Sequence, residues 1–182
     1  KRFYQKVKDI YKMSIDYDKN DSNTIEFFKK IQNKLLHAAT GNTAAEIINN
    51  RADHTKPNMG LTSYKGNKVR KQDIAIAKNY LSQPEIEDLN SIVTMYLDHA
   101  VYMAQNQRVI HMKDWEEKLN GFLQFNHKEI LQNAGKISND IALKLAEAEY
   151  EKFTTKRLNS DKELDNTEII EELEKQLLNL KK

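Results

Sequence analysis

Cysteine is absent from the 182 residues, and with it go disulfide scaffolds, thiolate zinc sites and cysteine nucleophiles. Proline occurs twice and glycine five times, too few chain punctuators for a sandwich or barrel of many short strands. Long helices need few turns, so this scarcity points to an all-α fold. No apolar run approaches the roughly 20 residues that span a bilayer. The opening Lys1-Arg2-Phe3-Tyr4-Gln5-Lys6 leads into more charge rather than a signal-peptide core. The expectation is therefore a cytoplasmic protein with no membrane partner. Lys1 stands in the middle of a helical pattern, so the chain also reads as a piece of a longer protein. A formal net charge of +2 is too small to argue for a polyanion partner by itself.

What is present suits a globular domain: 39% hydrophobic and 31% charged residues, in a length able to bury a core without staples. Phe3, Val7, Ile10 and Tyr11 mark one face of a first helix. After a polar connector, Asn23 and Glu26 have capping-box spacing, and a second helix runs through Phe27, Phe28, Ile31, Leu35 and Leu36 to Gly41. Thr43 is placed to cap a short helix over Ala44 to Ile48. Residues 53–68, with Pro57, Gly60 and Gly66, read as a long surface loop. A helix through Ile74, Ala77 and Leu81 is expected to stop at Ser82-Gln83-Pro84-Glu85, a restart signal for a regular helix carrying Leu89, Val93, Tyr96, Leu97 and Ala100. Trp115, Leu119 and Phe122 mark the inner face of the next helix, and Ile130-Leu131 a further short one. Ile137, Ile141, Leu145 and Ala148 open a long helix, with a break expected at Asn159-Ser160-Asp161.

The architecture expected is a compact bundle of six to eight helices over residues 1–158, with one long irregular loop. An extra amphipathic helix over 159–182 carries Ile170, Leu173, Leu177 and Leu180. Residues 163–180 must dock on the bundle or form a coiled coil with a second copy or another partner, since two heptads alone are marginal.

Chemistry-bearing patterns are few. Asp16, Asp18 and Asn20 match the start of an EF-hand loop, but Asp21 replaces its glycine and Phe27 its bidentate glutamate, so a solvated turn is the better reading. His37, His54, His99, His111 and His127 show no i, i+3 or i, i+4 pair, and no metal or cofactor is expected. Phosphate-loop, nucleophile-elbow, His-Glu-x-x-His and dinucleotide fingerprints are all missing. The remaining signal is positive charge. Lys56, Lys65, Lys68, Arg70, Lys71 and Lys78 crowd one stretch around Tyr64, a candidate surface for nucleic acid or phosphate against the plainer reading of a solvated loop.

Several segments together resemble a known family. Gly41-Asn42-Thr43-Ala44-Ala45-Glu46-Ile47-Ile48, Arg51-Ala52-Asp53 and Lys56-Pro57-Asn58-Met59-Gly60-Leu61-Thr62 are similar to the signature of the RhuM family of bacterial virulence-associated proteins. The likeness continues through Arg70-Lys71-Gln72-Asp73, Ala77-Lys78-Asn79-Tyr80-Leu81, Met112-Lys113-Asp114-Trp115 and Asn133-Ala134-Gly135-Lys136-Ile137-Ser138. The resemblance brings no established activity with it. It implies a preceding region like phage antirepressor or winged DNA-binding modules. Some relatives occur beside Fic/Doc-type proteins, but the Fic motif is missing here, so AMP transfer is not implied. If the motif-rich loop marks a site, Arg51, Asp53, Asn58, Thr62, Asp73 and Asn79 are its polar members. Two functions stay open: an accessory module of a DNA-associated regulator, or an enzyme acting on a nucleotide or nucleic acid with its pocket at residues 53–73.

Overall fold

The computed structural model describes residues 12, 14–18, 20–106 and 110–179, with side chains as far as Ser160 apart from Ala104. Its α-helices are α1 (Ser22–Thr40), α2 (Ala44–Arg51), α3 (Gln83–Asn106), α4 (Met112–Phe125) and α5 (Asn139–Asn179), with single 3-10 turns at Pro57–Gly60 and Ala77–Tyr80. No strand occurs among the described residues, so the fold is all-α. The helix expected at Phe3 to Tyr11 lies outside them. No helix in the described part is long and apolar enough to cross a membrane.

Local chemistry sets most boundaries. Asp21, rather than Asn23, caps α1, its side chain accepting from the Asn23 amide at 2.9 Å. Gly41 ends that helix, its amide donating to the His37 carbonyl at 2.8 Å. Thr43 and Glu46 form a complete capping box on α2: Oγ1 accepts from the Glu46 amide, and Glu46 Oε2 accepts from the Thr43 amide at 2.8 Å. Glu85 reaches back from the first turn of α3 to the Ser82 amide, also at 2.8 Å.

Three sequence expectations fail, the first two because polar side chains redirect the backbone's hydrogen bonds. Ile74 to Leu81 is not a helix but one 3-10 turn, because Asp73 Oδ2 accepts from the Arg70 amide and Asn79 Nδ2 donates to the Asp73 carbonyl. Ile130-Leu131 is irregular; the Leu131 carbonyl accepts from Lys34 Nζ at 3.1 Å instead of from a helical amide. No break occurs at residues 159–161. Ser160 Oγ donates to the Lys156 carbonyl inside the helix, and α5 runs uninterrupted for 41 residues, about 60 Å.

Apolar residues collect in two clusters. The first joins Ile31 and Leu35 of α1 to Ile92, Val93, Tyr96 and Leu97 of α3 and to Trp115, Leu119 and Leu123 of α4. Trp115 is fully enclosed, its indole N–H donating to Ser14 Oγ at 3.0 Å. Truncation there would cost about 3–5 kcal/mol. Lys34 is only 4% exposed at the edge of this cluster, donating to Asn120 and Leu131 and lying 3.5 Å from Glu116.

The second cluster packs α2 on α5 through Ile47, Ile48, Ala142 and Ala146. It also takes Met59 and Leu61, the two buried residues of the otherwise surface-lying 53–68 loop, together with Val69 and Ile74 just beyond it. The buried stripe of α5 is turned one residue from the expected one. Ala142 and Ala146 face α2, whereas Ile141 is 56% exposed and Leu145 lies half in solvent. Small residues allow the close helix approach that Ile141 would block.

Candidate functional site

Arg51, the last residue of α2, is enclosed by polar partners. Nη1 and Nη2 each meet a Glu85 oxygen at 2.6 Å, and Nη1 also donates to the Tyr80 carbonyl at 2.8 Å. The guanidinium hydrogen bonds pull the Glu85 carboxyl down to about 2. One ion pair thus ties together the end of α2, the 77–80 turn and the start of α3.

The other motif-loop residues make local hydrogen bonds, Asp73 from a buried position and Asn58 and Thr62 from exposed ones. Asp53 Oδ1 accepts from the Thr55 amide and hydroxyl, which lower its pKa. Asn58 accepts from the Tyr64 hydroxyl at 3.1 Å. Thr62 Oγ1 donates to the Leu81 carbonyl at 2.6 Å and its amide to the Asn79 carbonyl at 2.7 Å. Asp73 is 4% exposed and serves its own turn. Asn58, Met59 and Gly60 form three consecutive left-handed residues, with φ of 52°, 60° and 80°. Burial of the Met59 side chain in the second cluster offsets its strained backbone. Gly60 is obligatory there, since a Cβ would be driven into the Arg51 carbonyl oxygen.

The same loop is fastened to α5 by a contact that sequence reading missed. His54 donates its amide to Glu149 Oε2 at 2.8 Å, and its Nδ1 lies 2.5 Å from that oxygen. The His54 amide, then Lys152, then the His54 ring hold the Glu149 carboxyl at about 2. Asp53, His54 and Glu149 bring three potential metal ligands within 4.8 Å of one another. Asp53 serves Thr55 within the loop and Glu149 serves His54 and Lys152, so His54 and Glu149 form the clasp. A separation of 95 residues hid it from any local motif. The EF-hand-like connector is spent similarly: Asp16 accepts from the Met112 amide and Asp18 from the Asn20 amide.

The basic residues point outward. Lys65, Lys68 and Arg70 are exposed and make no ion pair with a described residue, while buried Val69 and Ile74 hold their segment in place. Lys71 pairs with Glu147 of α5 at 3.1 Å, and Lys56 lies 3.7 Å from Asp53. Lys78 stands apart from the loop cations, at the edge of a 610 Å³ cleft between α1, α2 and the start of α3. A second cleft, of 550 Å³, is lined by His37, Glu46, Glu129 and Lys136 among others. Neither cleft is lined by Arg51, Asp53, Asn58, Lys71 or Asp73.

The segments carrying the family likeness meet in space. Gly41 to Ile48 and Asn133 to Ser138 join where the Lys136 amide donates to Glu46 Oε1 at 2.7 Å, and a Cβ on Gly135 would strike Thr43. The model of the virulence protein RhuM family matches residues 1–161. The chain belongs to this family. No curated protein and no solved structure gives a significant match. The RhuM match extends past α2, the 53–68 loop and both clefts into α5, so every site residue described in this subsection falls within it, whereas Ile170, Leu173, Leu177 and Leu180 lie beyond it.

Proposed function

We propose that this RhuM-family chain is a non-enzymatic accessory module of a virulence-associated, DNA-associated regulator. It meets nucleic acid through Lys65, Lys68, Arg70 and Lys71, whereas Lys78 stands apart from them. The observation that carries this reading is the set of three exposed cations, Lys65, Lys68 and Arg70, without ion pairs among the described residues on a segment fixed by buried Val69 and Ile74. Charges held in place without a neutralising partner attract phosphates and release their counter-ions. A cytoplasmic setting belongs to the same proposal.

The enzyme reading has less behind it. Arg51, Asp53 and Asn58 spend their polar groups on Glu85, Thr55 and Tyr64, Asp73 and Asn79 spend theirs on neighbouring backbone, and neither cleft opens onto the 53–73 loop.

Fluorescence anisotropy of labelled duplex and single-stranded DNA across a salt series tests the proposal. Three phosphate contacts on duplex give a log–log slope of about −2.7, a loss of roughly fortyfold between about 50 and 200 mM salt. The variant Lys65→Ala, Lys68→Ala, Arg70→Ala should lose this binding. Absence of binding at low salt, or binding indifferent to salt, would overturn it.

A further inference from the structure

The 610 Å³ cleft has a chemistry of its own. Its apolar floor is offered by the part-exposed Ile76, Leu89 of α3 and Ile137, with the buried Leu36 of α1, Ile48 of α2 and Val93 of α3 also in its lining. Lys29 of α1 and Lys78 of the 75–78 segment stand at its edge, and no aspartate or glutamate lines it. Some lysines pair with carboxylates on neighbouring elements, Lys30 with Glu116 at 2.8 Å, Lys71 with Glu147 at 3.1 Å and Lys128 with Asp88 at 2.7 Å, while others, Lys65 and Lys68 among them, pair with none among the described residues. Lys29 and Lys78 have no such partner among the described residues. Gln32, Asn90 and Asn139 add primary amides, each with both a donor and an acceptor, while Asn33 holds the Ala44 amide at 3.0 Å.

Three features therefore converge: an apolar surface for a flat ring, amides for a heterocycle's edge, and two ammonium groups for an anion. The volume lies within the small-molecule range. A bare inorganic anion would leave the floor unused, and a neutral apolar ligand would leave the two ammonium groups without a counter-charge. We infer that this cleft binds a single nucleotide, with its phosphate between Lys29 and Lys78 and its base on the apolar floor. This site is separate from the DNA surface at Lys65, Lys68 and Arg70, and it stands whether or not that surface binds DNA.

The test is an amide-resolved NMR titration of the whole chain with AMP, GMP, CMP and UMP, beside adenosine and inorganic phosphate. At least one nucleotide should shift the cleft-lining residues, more tightly than adenosine or phosphate. Lys29→Ala and Lys78→Ala should each weaken that binding about tenfold. Ala134→Trp, which places a ring at an exposed position in the mouth, should abolish it while the circular dichroism stays unchanged. Lys68→Ala should leave it intact, which separates this site from the DNA surface. The inference is overturned if no nucleotide shifts the lining residues. It is equally overturned if adenosine or phosphate binds as well as the nucleotide, or if the shifts fall on residues 65–71.

Discussion

Glu85→Gln is the most informative single change, because it removes one charge and little else. Glu85 accepts both guanidinium nitrogens of Arg51 at 2.6 Å and also serves the Ser82 amide and hydroxyl. The two side chains are 27% and 21% exposed, so the pair is mostly shielded. Its carboxyl sits at about 2 in the fold against an ordinary 4.5. At about 1.4 kcal/mol per unit this gives an upper bound of about 3 kcal/mol; water reaching the pair lowers it to about 2 kcal/mol. In a domain of this size that corresponds to a melting temperature lower by roughly 4–8 °C at neutral pH. Because the folded pKa is depressed, the stabilisation is complete above 4.5 and disappears as pH falls toward 2. Thermal melts of wild type and variant should therefore keep a constant gap down to about pH 5. By about pH 3 roughly half of it should be gone. Arg51→Lys should show a similar but smaller loss, since an ammonium cannot reproduce the two-pronged contact. A gap below about 1 °C at neutral pH, or one as wide at pH 3 as at pH 7, would refute the reasoning.

Gly60→Ala should destabilise by at least about 2 kcal/mol in urea unfolding, because φ is +80° and the new Cβ meets the Arg51 carbonyl; an unchanged midpoint would show that the loop relaxes freely. For the C-terminal part, the apolar residues exposed on α5, Ile141, Leu145 and Leu158, together with the heptad spacing of Ile170, Leu173 and Leu177, make self-association the expected behaviour. Sedimentation should show a concentration-dependent mass for the whole chain and a constant monomer mass after truncation at Leu158; identical masses would remove the tail from that role.

The all-α class followed from scarce glycine and proline, and most helix ends from short-range polar signals: Gly41 after α1, the Thr43–Glu46 capping box, Glu85 at the start of α3. Such interactions span three or four residues, so they can be read along the chain. The inner faces of α3 and α4 were legible for the same reason, since their apolar spacing matches the helical period. What the sequence could not supply was the partner of each long-range polar group. Arg51 needed Glu85, 34 residues away, and His54 needed Glu149, 95 residues away. Those contacts fasten the start of a basic, motif-rich surface loop to α3 and α5. Nor could periodicity choose between the Ile141–Leu145 and Ala142–Ala146 faces of α5; packing against α2 buried the alanine face and left Ile141 and Leu145 toward solvent. The cleft likewise exists only in three dimensions. Lys29 and Lys78 are 49 positions apart and share it because α1 and the 75–78 segment pack around the same apolar floor.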